Sequence, residues 1–308
     1  MQQRIAIIGA NGFVGRHLVT QAATAGFGVT GIVRSPEASP VVRERGGDPV
    51  LVPRLDTDAI PALVTALRGS AGLVYTASVA TGQGVADRTD PAGLVNVIAA
   101  CREAGVPRFV FFSGLGLAHY GMNVYCTNPY FLAKMAGEVA LFRSSLAVTV
   151  FRPSYVFGRG EKFLTPLVAR IATPTSTEIE IPGDGGYRLQ PVSVADAARA
   201  AMGALSREGS EPLVVDLVGP EEVSYRDLIG RVSRSLSRSI TVRSRPVEEA
   251  LAEARSGGYF GLRPHDLACL LCDEVSDPRA VEALVGRPLE SLDAMIAAAT
   301  RAASAPGA

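Results

Sequence analysis

The stretch Gly9-Ala10-Asn11-Gly12-Phe13-Val14-Gly15 decides the fold class of this chain, both by its composition and by its place. It follows the continuous apolar run Ile5–Ile8, which is typical of a strand buried on both faces of a sheet. Apolar residues at helical spacing come directly after it. Glycine is needed where the backbone turns tightly, approaches a pyrophosphate closely and packs a helix against a strand. The alternative is a glycine turn without a ligand. The position between strand and helix predicts a dinucleotide-binding loop, with contacts from Gly9, Asn11, Gly12, Phe13, Val14 and Gly15.

The first half of the chain repeats this alternation of strand and helix. Further apolar runs predict buried strands at Val29–Val33, Val50–Val52, Leu73–Thr76, Phe109–Phe112 and Val148–Phe151. Helical spacing between the runs implies right-handed crossovers and a doubly wound parallel sheet of the α/β class, a Rossmann fold. We expect a nucleotide-binding domain over residues 1–155, to which residues 190–218 return, and a smaller substrate-binding domain over residues 156–308. Helix patterns in the second half cover Val194–Leu205 and Leu289–Ala303.

Composition and charge exclude several classes of protein. Of 308 residues, 47% are hydrophobic and 19% are charged, whereas a disordered chain lacks the apolar surface to offset its entropy. Thirty basic and thirty acidic residues cancel, which leaves no electrostatic footprint for nucleic acid or an anionic membrane. The uncharged stretches 69–86 and 109–133 are interrupted by polar residues or glycine, and four cysteines are too few for a disulfide scaffold. We expect a cytoplasmic protein, monomeric or homodimeric, whose partner is a small-molecule substrate.

The charges near the second strand bear on the choice of nucleotide. A site for NAD usually has Asp or Glu at the end of that strand, where the carboxylate binds the ribose 2′-hydroxyl. Here Arg34 and Ser35 stand there instead, Arg16 opens the first helix, and the first acid in the chain is Glu37. Arginine binds a phosphate in a bidentate manner. The pattern favours NADP (as NADPH) over NAD, although Arg16 and Arg34 also suit ordinary solvated positions.

Two more residues are expected to contact the cofactor. Asp56 follows the third strand, where its carboxylate could reach the adenine, and an N-cap of the following helix is the alternative. Ala77 follows the fourth strand, at the edge where open α/β sheets bind ligands.

A serine, a tyrosine and a lysine indicate acid–base chemistry at the same edge of the sheet. Ser113 follows the strand Phe109–Phe112, and Asn128-Pro129 then opens a helix with Asn as N-cap and Pro in the first turn. Tyr130 and Lys134 are spaced i, i+4 and project from one face of that helix. A free phenol has a pKa of about 10, and a neighbouring ammonium and a helix N-terminus favour its ionised form. Tyr130 would exchange a proton with a substrate oxygen held by Ser113 while hydride passes from the cofactor.

The glycine loop, the pair Tyr130/Lys134 and the upstream Ser113 resemble the short-chain dehydrogenase/reductase superfamily. Nearly the whole chain is similar to its extended and atypical members: the epimerase-like and NmrA-like proteins and the branch with the accessory subunit of respiratory complex I. The resemblance implies that Asn96 organises the proton relay, that Pro153 borders the nicotinamide and that Arg188 lies near phosphates of the substrate. It is carried by Val95–Val97, Ala104–Val110, Phe151–Gly158, Gln190–Asp196 and Val218–Tyr225.

Departures from the family pattern restrict the reactions that we expect the protein to catalyse. Gly114-Leu115-Gly116 follows Ser113, where catalytic relatives carry further hydroxyl residues, so the register of the catalytic hydroxyl stays open. No acid occurs between Glu103 and Glu138, which disfavours dehydratase chemistry. Because the tyrosine and lysine are both kept, an enzyme is favoured over a sensor, and a surface tyrosine with a chance lysine is the alternative.

The predicted cleft wall between positions 109 and 133 carries no fixed charge, and a charged substrate would lose hydration there without gaining a partner. We predict that the protein reduces a neutral, largely apolar carbonyl compound with NADPH, with substrate contacts from Leu115, Tyr125, Tyr155 and Arg188. The alternatives are a sugar-nucleotide epimerase with tightly held NAD and a non-catalytic NAD(P)-binding sensor or assembly protein. The residues expected on the wall are Leu115, Leu117, Met122, Val124, Tyr125 and Phe131.

One group of possible metal ligands is set aside. His265, Cys269 and Cys272 are spaced i, i+4 and i+7 on a predicted helix. A structural zinc needs four ligands, and the apolar neighbours of these residues favour a buried helix in which cysteine acts as a small hydrophobe. We predict no metal.

Overall fold

The computed structural model describes residues 3–77, 89–125, 129–256 and 264–304. The predicted N-cap Asn128 and the side chain of His265 therefore lie outside the described residues. The strands are β1 (Arg4–Ile8), β2 (Gly28–Val33), β3 (Asp48–Leu51), β4 (Ser70–Tyr75), β5 (Arg108–Phe112), β6 (Ala147–Pro153), β7 (Val156–Phe157), β8 (Glu178–Pro182), β9 (Arg188–Leu189), β10 (Val192–Ser193), β11 (Leu213–Leu217), β12 (Val223–Ser224) and β13 (Thr241–Arg245). The α-helices are α1 (Phe13–Thr24), α2 (Ser39–Arg43), α3 (Ile60–Leu67), α4 (Thr89–Ala104), α5 (Pro129–Phe142), α6 (Leu164–Ala172), α7 (Val194–Ser206), α8 (Tyr225–Ser235), α9 (Val247–Ser256), α10 (Pro264–Leu270), α11 (Arg279–Val285) and α12 (Leu292–Ser304).

Seven parallel strands form the central sheet, in the order β11-β6-β5-β4-β1-β2-β3. The order reverses between β1 and β4, and open α/β sheets bind ligands at such a point, beyond the carboxyl ends of the strands. The glycine loop follows β1 and Ser113 follows β5, so both lie at this edge. The predicted doubly wound α/β fold is confirmed.

Side chains alternate along β1 between two hydrophobic cores, as the pleat of a strand requires. Ile5 and Ile7 pack with residues of α1 and α7 on one face of the sheet. Ala6 and Ile8 pack with residues of α3, α4 and α5 on the other face. Because both faces are covered by helices, the strands read as continuous apolar runs in the sequence.

The chain after β6 contributes both to the central sheet and to a separate hydrophobic cluster. Strand β11 pairs with β6, with Leu217 opposite Pro153, and α7 packs in the same core as α1. The separate cluster is formed by residues of β8, α6, α8, α9, α10 and α12. No helix among the described residues is long and apolar enough to cross a membrane.

The last helix begins at Leu292, whereas the sequence pattern predicted Leu289. Residues before it are held extended by two acids from elsewhere in the chain. The buried Asp196 carboxylate accepts from the Glu290 N–H (2.7 Å), and Glu221 accepts from the Leu292 N–H (2.9 Å). Arg287 also pairs with Asp196 (2.6 Å). These bonds compete with the first helical turn and delay its start.

Candidate functional site

The loop between β1 and α1 has the geometry of a phosphate-binding cradle. Gly9 has a φ of +81°, which L side chains rarely adopt. A Cβ atom on Gly15 would overlap the carbonyl oxygen of Gly9, and one on Gly9 would lie 2.8 Å from the nitrogen of Ala77. The N-cap residue of α1 is Gly12, and no side chain caps the helix. The N–H groups of its first turn can therefore bind an anion.

Thr76 holds this loop from the end of β4 and is a residue that sequence reasoning missed. Its backbone N–H donates to the carbonyl of Ile8 (3.0 Å). Its hydroxyl lies 3.0 Å from the carbonyl oxygen of Ile8 and 3.3 Å from that of Gly9. Ala77 follows directly and packs against Gly9. In the sequence, Thr76 only closes an apolar run, so nothing distinguished it from an ordinary strand end.

At the end of β2, Arg34 is exposed and Ser35 is half-buried. The carboxyl of Glu37 accepts hydrogen bonds from its own N–H and from the Ser35 hydroxyl, and these bonds hold its pKa below the usual range. Arg16 points elsewhere and donates to the carbonyl of Arg159 (2.6 Å), in the loop after β7. Arg34 and Ser35 therefore stay together at the end of β2, while Arg16 is directed away.

Asp56 follows β3 at the surface, and its contact with the adenine stays a prediction. Its carboxylate pairs with Arg54 at 2.9 Å on the surface. Its backbone occupies the N-cap position of the 3₁₀ helix Thr57–Ala59, but its side chain makes no capping hydrogen bond.

The predicted acid–base group comes together at the carboxyl end of β5. Ser113 is anchored by its N–H, which donates to the carbonyl of Phe151 (2.7 Å). Its side chain is buried, and no described residue hydrogen-bonds its Oγ. Lys134 is 2% exposed, and its Nζ donates to the carbonyl of Phe112 (3.1 Å) and lies 5.5 Å from the centre of the Tyr130 ring. Tyr130 lines the cleft, whereas Lys134 is not among the residues that line it.

Asn96 and Pro153, the two further residues implied by the resemblance, have different surroundings. The Asn96 amide donates to the carbonyl of Leu55 (2.8 Å), so its side chain links α4 to the loop after β3. The bond engages one N–H of the amide, and the role in the proton relay that the resemblance implies for Asn96 stays a prediction. Pro153 ends β6 and lines the cleft with Ser113 and Tyr130, and its place beside the nicotinamide stays a prediction.

A cleft of about 630 Å³ opens beside Ser113 and Tyr130. Several of the residues predicted for its wall lie elsewhere, because the segment after Ser113 turns away. Met122 and Val124 are 85% and 80% exposed, and Leu117 is buried in a small cluster behind the cleft. The residues that line it are Phe13, Val14, Ser113, Gly114, Tyr130, Phe131, Pro153, Ser154, Tyr155, Val156, Gly160, Glu161, Lys162, Phe163, Cys269 and Glu274.

Of the four residues predicted to contact the substrate, only Tyr155 lines this cleft. Leu115 is buried in the 3₁₀ helix Leu115–His119, and the Tyr125 hydroxyl donates to Glu248 (3.4 Å). Arg188 is engaged by Asp273 and Glu222, each at 2.9 Å. Leu115, Tyr125 and Arg188 are therefore not among the residues that line this cleft, and their contacts with a substrate stay a prediction.

Ionisable groups also reach the cleft, which the charge-free segment 109–133 did not predict. Lys162 is exposed at its wall. The Glu161 carboxylate caps α6 by accepting from the N–H groups of Phe163, Leu164 and Thr165. Glu274 is buried, and burial raises the pKa of its carboxyl to about 8, against the opposing hydrogen bonds from Gly116 and Ser154.

Cys269, which lines the cleft, and Cys272 pack with hydrophobic residues. Cys269 lies in α10, and Cys272 lies just beyond its end, 1% exposed, with its thiol directed to the carbonyl of Ala268 (3.4 Å). Both belong to a cluster with Leu117 and Phe131. Among the residues that the structure describes, no three His, Cys, Asp or Glu side chains are grouped to hold a metal ion.

Comparison with known proteins identifies the family. The sequence model of a family described as NAD(P)H-binding matches residues 9–179, more than half of the chain, and the chain belongs to this family. Over 228 residues it is 26% identical to the mitochondrial NADH dehydrogenase (ubiquinone) 1 alpha subcomplex subunit 9 of Arabidopsis thaliana, covering 72% of this chain and 55% of the relative. Over 301 residues it is 25% identical to quinone oxidoreductase 2 of Escherichia coli, covering 94% and 96%.

A solved structure confirms the fold over the whole chain. UDP-glucuronic acid 4-epimerase of Bacillus cereus, in complex with UDP-glucuronic acid and NAD, matches with a TM-score of 0.73 and 18% identity. The match covers 98% of this chain and 99% of the epimerase. The protein is thus an NAD(P)-binding Rossmann protein with epimerase-like structural neighbours and a relative among complex I subunits, as the sequence resemblance predicted.

Proposed function

We propose that this protein reduces a neutral, largely apolar carbonyl compound with NADPH. The observation that carries the proposal is the Ser113 hydroxyl, which is buried, lines the same cleft as Tyr130 and has no hydrogen-bond partner among the described residues. A buried polar group without a partner is unfavourable. A carbonyl oxygen bound in the cleft would accept the hydrogen bond that Ser113 can donate.

The residues of the glycine loop fit a dinucleotide. Gly9, Gly12 and Gly15 let the loop backbone fold closely on itself and against Ala77, the tight turn that a pyrophosphate site at the N-terminus of α1 needs. When bound, the cofactor supplies a hydride to the carbonyl carbon. Arg34 would pair with the 2′-phosphate of NADP, and it carries the preference without Arg16. Ser35 contributes less, because its hydroxyl is already engaged with the Glu37 carboxylate.

Tyr130 would supply the proton. As the C=O bond becomes C–O–H, the substrate oxygen takes the phenolic proton of Tyr130 while Ser113 holds the same oxygen. The phenolate left behind is stabilised by the buried ammonium of Lys134. A proton from solvent then restores the phenol, so that one proton is consumed for each alcohol formed.

The lining of the cleft supports an apolar substrate. Most of the side chains that contact the space are aromatic or aliphatic, including Phe13, Phe131, Tyr155 and Phe163. Burial of an apolar ligand there would contribute about 25 cal/mol for each Å² removed from water. The name of the quinone oxidoreductase relative, which is similar over nearly its whole length, is consistent with a carbonyl substrate.

The test is NADPH oxidation with a panel of aryl and alkyl ketones, set against nucleotide sugars and NADH. We expect turnover with ketones and NADPH. Turnover confined to nucleotide sugars, with NAD that co-purifies and does not exchange, would establish an epimerase instead. Lys162 is the observation that favours this second function, because its ammonium at the cleft could pair with a diphosphate. Binding without turnover of any substrate would indicate a role in an assembly, as a subunit relative suggests.

A further inference from the structure

Glu274 is a buried acid on the wall of the cleft that the proposed reaction does not use. Its backbone N–H donates to the carbonyl of Arg188 (2.8 Å), and the residue bridges to Leu189 of β9. This pairing fixes the residue at the strand edge and leaves 5% of it exposed. It lines the same space as Ser113 and Tyr130.

The adjacent acids Asp273 and Glu274 have opposite environments. Asp273 is on the outside, where it pairs with Arg188 at 2.9 Å. Glu274 is on the inside, and no lysine, arginine or histidine of the described residues forms an ion pair with it. Buried charge without a partner is strongly unfavourable, so the neutral carboxyl is the stable form at neutral pH. A neutral carboxyl is a hydrogen-bond donor as well as an acceptor.

Two groups donate hydrogen bonds to the Glu274 carboxyl, and neither uses the proton of the neutral carboxyl itself. It accepts from the Gly116 N–H and from the Ser154 hydroxyl. The Ser154 oxygen in turn accepts from the N–H of Gln190 (3.3 Å), so the serine is oriented as a donor toward the carboxyl. Gly116 admits the carboxyl because it has no side chain: a Cβ there would lie 3.0 Å from Oε1. A protonated Glu274 carboxyl therefore has an O–H that it can donate to a ligand in the cleft that the residue lines.

The segment Gly114–Gly116 lies close to Tyr130 as well as to Glu274. Tyr130 Oη lies 3.8 Å from where a Cβ on Gly114 would be, and Glu274 Oε1 contacts Gly116, two residues further on. The phenol that would protonate one oxygen and the carboxyl of Glu274 therefore flank a single turn. A substrate held by Ser113 and Tyr130 would lie in the same space that Glu274 lines.

We propose that Glu274 is a specificity-determining residue, whose carboxyl donates a hydrogen bond to a second carbonyl oxygen of the substrate. The substrate is then a dicarbonyl compound, one oxygen of which is held by Ser113 and Tyr130 and the other by Glu274. This inference rests on the reductase activity proposed above. It concerns binding alone and adds no chemical step.

The donor is lost when the carboxyl ionises, so substrate preference depends on pH. The effect of Glu274 ionisation must be distinguished from the ionisation of other titratable or charged groups on the elements around it. A matched pair of substrates achieves this, because ionisation of the other groups affects both. These groups are His119 of the 3₁₀ helix, Tyr130 and Lys134 of α5, Tyr155 after β6, Glu161 and Lys162 at the cleft wall, Arg188 of β9, Cys269 of α10, and Cys272 and Asp273.

The experiment compares benzil, a diketone, with deoxybenzoin, the monoketone of the same skeleton. KM for each is measured with NADPH between about pH 7 and about pH 9.5, in the wild type and in Glu274→Gln, and Kd is measured by calorimetry in the presence of NADP⁺. We expect the wild type to prefer benzil by about tenfold at neutral pH and to lose that preference above pH 8, since a hydrogen bond is worth about a factor of ten. Glu274→Gln, whose amide donates at every pH, should keep the preference throughout. Glu274→Leu should lack it at every pH.

Each outcome decides the proposal. A preference for benzil that follows pH identically in the wild type and in Glu274→Gln would refute it, as would equal affinity for the two ketones at neutral pH. If Glu274→Leu does not fold, the comparison of wild type with Glu274→Gln remains sufficient. The calorimetric Kd separates this inference from the proposed reaction: binding preference without turnover would support Glu274 and contradict the reductase.

Discussion

The buried ammonium of Lys134 contacts both elements that carry the predicted acid–base group. It lies 5.5 Å from the centre of the Tyr130 ring, one helical turn away, and its hydrogen bond to the Phe112 carbonyl reaches the residue directly before Ser113. Because Lys134 is buried, its charge is little screened by water or salt. The positive charge therefore stays at a fixed place behind the phenol.

Tyr130→Phe should lower turnover by about 10²–10⁴ and leave cofactor affinity nearly unchanged, since it removes only the proton donor. Steady-state kinetics and titration with NADPH measure the two effects separately. Tyr125→Phe is the matched control, because the Tyr125 hydroxyl bonds Glu248 outside the cleft. Full activity of Tyr130→Phe on an identified substrate would show that another group donates the proton.

Arg34→Ala should remove most of a preference for NADPH over NADH that we expect to be at least about tenfold, since a charge-assisted contact contributes roughly 1.5–3 kcal/mol. Calorimetric titration of both nucleotides checks this. Arg43→Ala, at another exposed arginine close by in α2, should leave the ratio unchanged. Glu37→Gln should raise it, because a carboxylate beside Ser35 repels the 2′-phosphate. Equal affinities in the wild type would refute the assignment.

Gly15→Ala should weaken cofactor binding and destabilise the protein by about 1–3 kcal/mol, because the added methyl group would overlap the Gly9 carbonyl. Gly230→Ala is the control within another helix. Its Cβ would meet only Arg234 Nη1, at 3.5 Å, so the substitution should stabilise by about 0.5–1 kcal/mol. Chemical denaturation measures both. A neutral Gly15→Ala would mean that the loop can shift away from α1.

Glu138→Gln should lower the free energy of unfolding by about 2 kcal/mol or more, since breaking a buried ion pair leaves the partner without its counter-charge. Glu138 is 3% exposed and binds Arg152 through both oxygens, at 2.6 and 3.1 Å. Asp56→Asn, which breaks the exposed pair with Arg54, should cost at most about 1 kcal/mol. Equal costs would show that the Glu138 pair is solvated in solution.

Glu274 makes stability depend on pH in a defined direction. Its pKa is about 8 in the folded protein, above the value of an unfolded glutamate, so the folded state keeps a proton that the unfolded state has lost. Its contribution is fully present below about pH 4 and is lost as the pH rises to 8, by at most about 1.4 kcal/mol per pH unit. Relative to Glu274→Gln, the wild type should therefore become less stable over this range. Parallel denaturation curves at pH 5 and pH 8 would contradict a neutral buried carboxyl.

Local patterns could be predicted from the sequence, and pairings across the chain could not. Buried strands require apolar runs, and the loop after β1 requires glycine, so both are written in consecutive residues. The resemblance places Arg188 near the substrate, but its ion-pair partner Asp273 lies 85 residues away and cannot be recognised from the sequence. Asn96 likewise bonds Leu55, 41 residues back. Composition alone does not say which residues of an irregular segment face water, which is why Met122 and Val124 were misplaced on the cleft wall.

The hydroxyl of Thr76 has a consequence for how the nucleotide enters. Because it lies within hydrogen-bond distance of the carbonyls of Ile8 and Gly9, it restricts the conformations that the loop can adopt before a nucleotide binds. Little chain entropy is then lost on association, and more of the gross interaction energy remains as affinity. The glycines make the loop possible, and the threonine that follows β4 restrains it.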